Sequence, residues 1–154
     1  MKILSFDLGI ANLGTSIITD KLEVIYINNF STNNKLEHRI RLKNIDDYLY
    51  SICNSYRPNI LVYEKSYSQN TKAGAAITNV EGIILLASTK YPAIEQVHNF
   101  NAKQVKKLAT KSGNASKQEM IAKANSVFNL TNKNHHIADS LLIGYCYLVN
   151  NNLI

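Results

Sequence analysis

Four side chains in this 154-residue chain have types and positions that could do chemistry together: Asp7, Glu64, His136 and Asp139. Asp7 closes the short apolar run Ile3-Leu4-Ser5-Phe6, and Glu64 closes a second, Ile60-Leu61-Val62-Tyr63. An apolar run of that length reads as a buried strand, here ending on a carboxylate. Ligand sites in open α/β sheets gather beyond the carboxyl ends of strands, so both acids are expected at one edge of a sheet. His136 and Asp139 are three residues apart at the start of the last helical pattern and share a face of its first turn. Acids this close repel one another, so a divalent cation or protons must offset them. Two or three carboxylates with an imidazole suit Mg²⁺ or Mn²⁺, nitrogen being better tolerated by Mn²⁺. Two such cations about 4 Å apart can stabilise the attacking and leaving oxygens of an in-line phosphoryl displacement. Singly, each feature is commonplace. A strand-ending acid often just caps a turn, and Gly9 and Gly14 read as ordinary turn glycines.

The charge distribution points to what such a site would meet. The chain has 17 Lys and Arg, 11 Asp and Glu, and a formal charge of +6. Residues 101–134 hold seven lysines (103, 106, 107, 111, 117, 123 and 133) and one acid, Glu119. The whole excess therefore lies in one segment, and the remainder is neutral. A concentrated basic stretch favours an acidic partner, most commonly nucleic acid. Hydrophobic residues make up 45% and charged residues 18%, the composition of a globular protein. The length predicts one domain, 1–154. Cys53 and Cys146 cannot build a disulfide framework, which predicts a reducing, cytoplasmic setting. No apolar run reaches the ~20 residues of a membrane span, and Met1-Lys2-Ile3 leads straight into a strand, so no membrane or secretory role is expected.

The elements that must position these residues follow from periodicity. A meander of three strands is expected from Ile3–Asp7, Thr15–Ile18 and Leu22–Phe30. Helical spacing from about Asn34 to Tyr56 stops before Pro58. A strand at 60–63, a one-faced helix over 71–90 and a strand at 93–97 come next. A short helix over 102–109 precedes Ser116-Lys117-Gln118-Glu119, whose capping-box form opens a helix to about Phe128. The last helix runs over 136–149. The sum is an α/β fold with a mixed sheet flanked by helices.

Asp7-Leu8-Gly9-Ile10-Ala11-Asn12-Leu13-Gly14 resembles the D-x-G-x-x-x-x-G opening of the RuvC family of Holliday-junction resolvases. Val62-Tyr63-Glu64 resembles the second acidic strand of that family, and Glu81-Gly82 the site of its helix glycine. Val105-Lys106 with Gly113-Asn114-Ala115-Ser116-Lys117 resembles its V-K…G-x-A-x-K stretch, and His136-Ile137-Ala138-Asp139-Ser140-Leu141 its closing D/H-x-x-D-A/S-L helix. These matches fall in order over residues 3–149 and are jointly specific.

The resemblance implies an RNase H-like fold with a five-stranded mixed sheet. It implies a homodimer that cuts opposed strands of branched DNA, above all four-way junctions, leaving 5′-phosphate and 3′-hydroxyl ends. Asp7, Glu64, His136 and Asp139 would hold two Mg²⁺ ions, with Asp7 bridging them and Mn²⁺ able to substitute. Lys106 and Lys117 would hold the scissile phosphate and its developing charge. Lys103, Lys107 and Lys111 would add backbone contacts, and Tyr67, three residues after Glu64, would stack at the junction centre.

His136 stands where many relatives carry an acid. His135 is four residues from Asp139 and a competitor for the role, although the motif favours His136. Glu81 replaces an often basic residue, which predicts a missing DNA contact. The short polar segment after Glu64 leaves sequence preference at the cut, and activity on forks or flaps, open. A non-cleaving junction-binding module is disfavoured, because uncompensated acids beside a phosphate only weaken binding. An RNase H-like nuclease of RNA processing (the YqgF type) fits the lysine stretch less well, and an actin-like or sugar-kinase ATPase needs about twice the length. A phage or viral origin and an AT-rich bacterial one fit the composition equally.

Overall fold

The computed structural model describes residues 1–65 and 71–154. Five strands, β1 (Lys2–Asp7), β2 (Asn12–Thr19), β3 (Val24–Ser31), β4 (Ile60–Glu64) and β5 (Gln96–Phe100), form one sheet in the order β3-β2-β1-β4-β5. The β1–β2 and β2–β3 pairs are antiparallel, and β1–β4 and β4–β5 are parallel. Among the described residues five helices accompany them: α1 (His38–Tyr56), α2 (Lys72–Lys90), α3 (Ala102–Thr110), α4 (Lys117–Phe128) and α5 (His135–Asn150). The expected α/β architecture with a five-stranded mixed sheet is the one observed.

Strand alternation sorts the sheet into two faces. Leu4, Phe6, Leu61 and Tyr63 pack with Ile45, Leu49, Val80 and Ile84 of α1 and α2. Ile3, Ile60 and Val62 pack instead with α3, α4 and α5. Asp7 follows Ile3 and Ser5 in phase, and Glu64 follows Ile60 and Val62, so both acids belong to the α5 side. The parallel register sets Phe6 beside Tyr63, which leaves Asp7 and Glu64 at the same carboxyl edge.

Three expectations are corrected. β5 lies at 96–100, not 93–97: Pro92 and Ala93 form a turn, and the polar-looking His98 and Asn99 belong to an edge strand. Helix α1 begins at His38 because Asn33 folds the preceding residues, accepting the Lys35 N–H on its side chain and the Leu36 N–H on its carbonyl. Gly14 is not a turn glycine. It lies inside β2, paired with Asp7 and pressed against α5.

Candidate active site

Asp7, Glu64 and Asp139 line one cavity of about 140 Å³, together with Lys106, Lys117, Ala102 and Met120. Asp7 and Glu64 come from the ends of β1 and β4, Asp139 from the second turn of α5, Lys106 from α3 and Lys117 from the first position of α4. A larger hollow of about 350 Å³ beside Cys53 and Tyr91 has no acid among its described lining residues.

The approach of α5 to the sheet makes this convergence possible. A methyl group at Gly14 would run into the His136 carbonyl, and one at Gly144 would strike Ser5 Oγ. Glycine is needed here for closeness, since neither residue has a positive φ. Asn134 caps α5, accepting the N–H groups of His136 at 2.9 Å and Ile137 at 3.3 Å. The capping box expected at Ser116 is present, with Glu119 reaching back to the Ser116 N–H at 2.7 Å. Lys117 follows that cap, at the positive end of the helix dipole, where a cation is electrostatically misplaced. Its place beside the acids accounts for it.

Burial and crowding act together on the acids. Desolvation, then the charges of Asp7 and Asp139, push Glu64 up to about 7, with Lys106 opposing. Desolvation and then Asp7 push Asp139 up to about 6, against His136, Lys106 and Lys117. His136 Nδ1 lies 2.6 Å from Asp7 Oδ2, and that hydrogen bond raises the imidazole above its ordinary value. His135 lies against His136, with ring centroids 4.0 Å apart and the rings tilted by 37°, and its affinity for a proton is lowered chiefly by desolvation. The structure thus brings His136 to Asp7, not His135. His136 also borders a second, more apolar cavity of about 210 Å³ with Ile10, Ala73 and Ile77.

The donor set fits a hard divalent cation in its chemistry: three carboxylates under mutual repulsion and one imidazole. Its arrangement is not that of a closed cage. Among the described residues, no three His, Cys, Asp or Glu side chains form a ready metal-binding group, and Asp7 is engaged with His136.

The remaining expected residues divide. Lys103 is exposed, its stem lying over Gly113, and Lys111 is exposed at the left-handed C-cap of α3. Lys107 borders a different hollow with Phe100, Leu108 and Asn150, toward the far end of α5. Tyr67 and the rest of 66–70 lie outside the described residues. Glu81 has an inward role that the sequence did not suggest: it accepts the Tyr63 hydroxyl at 2.8 Å. The Asn134 cap was also missed, although Asn just before a helical pattern is a recognised start signal.

The family pattern described as "Crossover junction endodeoxyribonuclease RuvC" matches residues 3–147. The crossover junction endodeoxyribonuclease RuvC of Wolbachia pipientis wMel is 30% identical, covering 96% of this chain and 93% of its own length. That of Halothermothrix orenii is 31% identical over 96% and 92%. Among solved structures, Thermus thermophilus RuvC in complex with a Holliday junction substrate shares the fold with a TM-score of 0.88, at 19% identity over 99% of this chain and 96% of the other. A pattern matched over nearly the whole length, with curated relatives that align end to end, carries one conclusion: the chain belongs to the RuvC family of crossover junction endodeoxyribonucleases.

Proposed function

We infer that this chain resolves four-way DNA junctions by hydrolysing phosphodiester bonds at the cavity of Asp7, Glu64 and Asp139, leaving 5′-phosphate and 3′-hydroxyl ends. The observation that carries this reading is the meeting of those acids with Lys106 and Lys117 in one cavity of a RuvC-family chain. Asp7, Glu64, Asp139 and His136 would hold divalent cations, Mg²⁺ or Mn²⁺, which when bound supply Lewis-acid stabilisation of the charge on the reacting oxygens.

The chain's own residues do the rest. Lys106 and Lys117 offer ammonium donors to the non-bridging phosphate oxygens, where charge grows in the transition state. The hydrogen bond between His136 Nδ1 and Asp7 Oδ2 at 2.6 Å fixes the imidazole at the edge of the acid cluster. Lys103, Lys107 and Lys111 carry the positive surface of α3 outward for the flanking backbone, and Tyr67 supplies the stacking surface at the crossover.

Paired cuts require two copies. Helix α2 offers an apolar face for a homodimer: Leu85 is 42% exposed, Leu86 is 54% exposed, and among the described residues nothing beyond the helix's own backbone lies within 4 Å of a Cβ built at Gly82. The protein would act as one domain, in the cytoplasm where its DNA is, with forks and flaps as secondary substrates.

Asp7→Asn is expected to abolish metal-dependent cleavage of a synthetic four-way junction, a loss of at least about 10³-fold, while leaving junction binding largely intact. Equal cleavage by wild type and variant would overturn the assignment. Binding without cleavage by the wild type would favour a non-cleaving module.

A further inference from the structure

We propose that Asn125, Asn132 and Asn134 are positioning residues of the active site: a chain of three side-chain amides that ties the end of α4 to the first turn of α5 and holds His136 and Asp139 opposite Asp7 and Glu64. The proposal rests on the nuclease reading for its consequence, but its geometry stands alone.

Asn125, in the last turns of α4, donates from Nδ2 to the Asn132 carbonyl at 2.8 Å and accepts the Asn132 N–H on Oδ1 at 3.0 Å. Asn132 repeats the pattern two residues on. Its Nδ2 donates to the Asn134 carbonyl at 2.7 Å, and its Oδ1 accepts the Asn134 N–H at 3.0 Å. Asn134 ends the chain by capping α5 through the N–H groups of His136 and Ile137. Each of the first two amides closes a two-bond ring on another residue's backbone. That needs a donor and an acceptor on one short planar group, which an aspartate cannot supply. The third amide uses only its oxygen, so Asp or Ser could replace it.

The location gives the ladder its meaning. Apolar residues such as Leu141, Leu142 and Leu148 bury the body of α5, but non-directional packing tolerates a small slide along the sheet. His136 and Asp139 sit at the end of the helix where such a slide would move them off the acids. Directional bonds at the N-terminus stop it. The same ladder begins on α4, whose first residue is Lys117, so it couples the helix bearing the phosphate-binding cation to the helix bearing the imidazole and third carboxylate. Left-handed Asn129 and the Leu130 N–H bond to the Asn125 carbonyl close the turn between them.

The test compares N125D, N132D, N134D and N134A in the full chain. Single-turnover junction cleavage, junction Kd, Mn²⁺ binding by electron paramagnetic resonance without DNA, and amide exchange at His136 and Ile137 are measured for each. N125D and N132D are expected to weaken Mn²⁺ binding and cleavage about 10- to 100-fold, with junction Kd little changed and exchange at 136 and 137 accelerated. N134A should behave like them, whereas N134D, which keeps the cap, should stay close to wild type. If N125D does not fold, N132D decides. Wild-type metal affinity and exchange in N132D would overturn the proposal, as would a uniform loss of Tm across all four variants with no change in Mn²⁺ affinity. A wild type that fails to cut junctions would sink the nuclease reading instead, leaving exchange and Mn²⁺ binding to judge the ladder.

Discussion

Toward α1 and α2 the central strands present Leu4, Phe6, Leu13, Ile17, Leu61 and Tyr63; toward α5 the neighbouring positions include Ser5, Gly14, Ser16 and Asp7. The first face is filled with bulk, and its helices carry surface charges that pair locally, as in Lys43–Asp47 at 2.6 Å and Lys90–Asp46 at 3.4 Å. Beside the site the second face carries the short Ser5, Gly14 and Ser16 among the bulkier Ile3, Ile18 and Val62, and α5 sits low over those short positions. Two buried hydroxyls there, Ser5 Oγ and Ser16 Oγ, have no hydrogen-bond partner among the described residues, a cost that ordinary core residues would avoid. Among the described residues, the lysines of α3 and the Lys117 ammonium form no ion pair. One face maximises packing; the other accepts polar burial and unpaired charge to bring a helix terminus within reach of two strand ends.

That contrast breaks most sharply at Gly14. Gly14→Ala would push the His136 backbone away from β2, and a displacement near 1 Å is enough to cost about 10²-fold in cleavage rate. Its counterpart on the other face is Leu49→Ala, which removes a fully buried side chain of α1 at a cost of about 2–5 kcal/mol in unfolding free energy. At a temperature where it remains folded, that variant should cut at the wild-type rate. Chemical denaturation and single-turnover kinetics on the same samples separate the two. If Leu49→Ala slowed cleavage as much as Gly14→Ala, the division of labour between the faces would be wrong.

The same division explains what could be read from the residues alone. Asp7 and Glu64 were legible because buried central strands leave continuous apolar runs and an acid interrupts them visibly. The α4 start was legible because Ser116 and Glu119 form a local, reciprocal cap. β5 was displaced by three residues because an edge strand needs no apolar alternation, so Gln96, His98 and Asn99 look like loop. Gly14 was misread because its reason is the His136 carbonyl, 122 positions away in sequence. The asparagine ladder was hidden by composition: with twenty asparagines in the chain, Asn125, Asn132 and Asn134 do not stand out.

A second separation of the faces lies in pH. The folded chain holds Glu64 near 7 against an ordinary 4.5, and Asp139 near 6 against 3.8. Between those limits it binds protons that the unfolded chain has released. The contribution of these two groups to stability is therefore greatest at low pH and is lost as pH rises through the folded values. His136, also raised, acts in the same direction. In EDTA, Tm should fall between pH 5 and pH 7.5 from these groups, and Mg²⁺ or Mn²⁺ should recover part of the loss at the upper end. Glu64→Gln with Asp139→Asn should flatten the slope. An unchanged slope in that double variant would remove the acids from the account.

The smallest expected effect tests how far the basic surface reaches. Lys107 shares α3 with Lys106 but borders the hollow near Asn150, away from the acids. If flanking DNA runs along α3, Lys107 meets a phosphate and contributes only counterion release. Lys107→Ala should then weaken junction binding modestly and lower the slope of log affinity against log salt by about one, with the single-turnover rate unchanged. Lys106→Ala should do the reverse, slowing cleavage more than it weakens binding, because its ammonium lies among the acids. A salt slope untouched by Lys107→Ala would confine the DNA path to the Lys103, Lys106 and Lys117 side of α3 and α4, making the basic segment a narrow lip on the active site rather than a broad track.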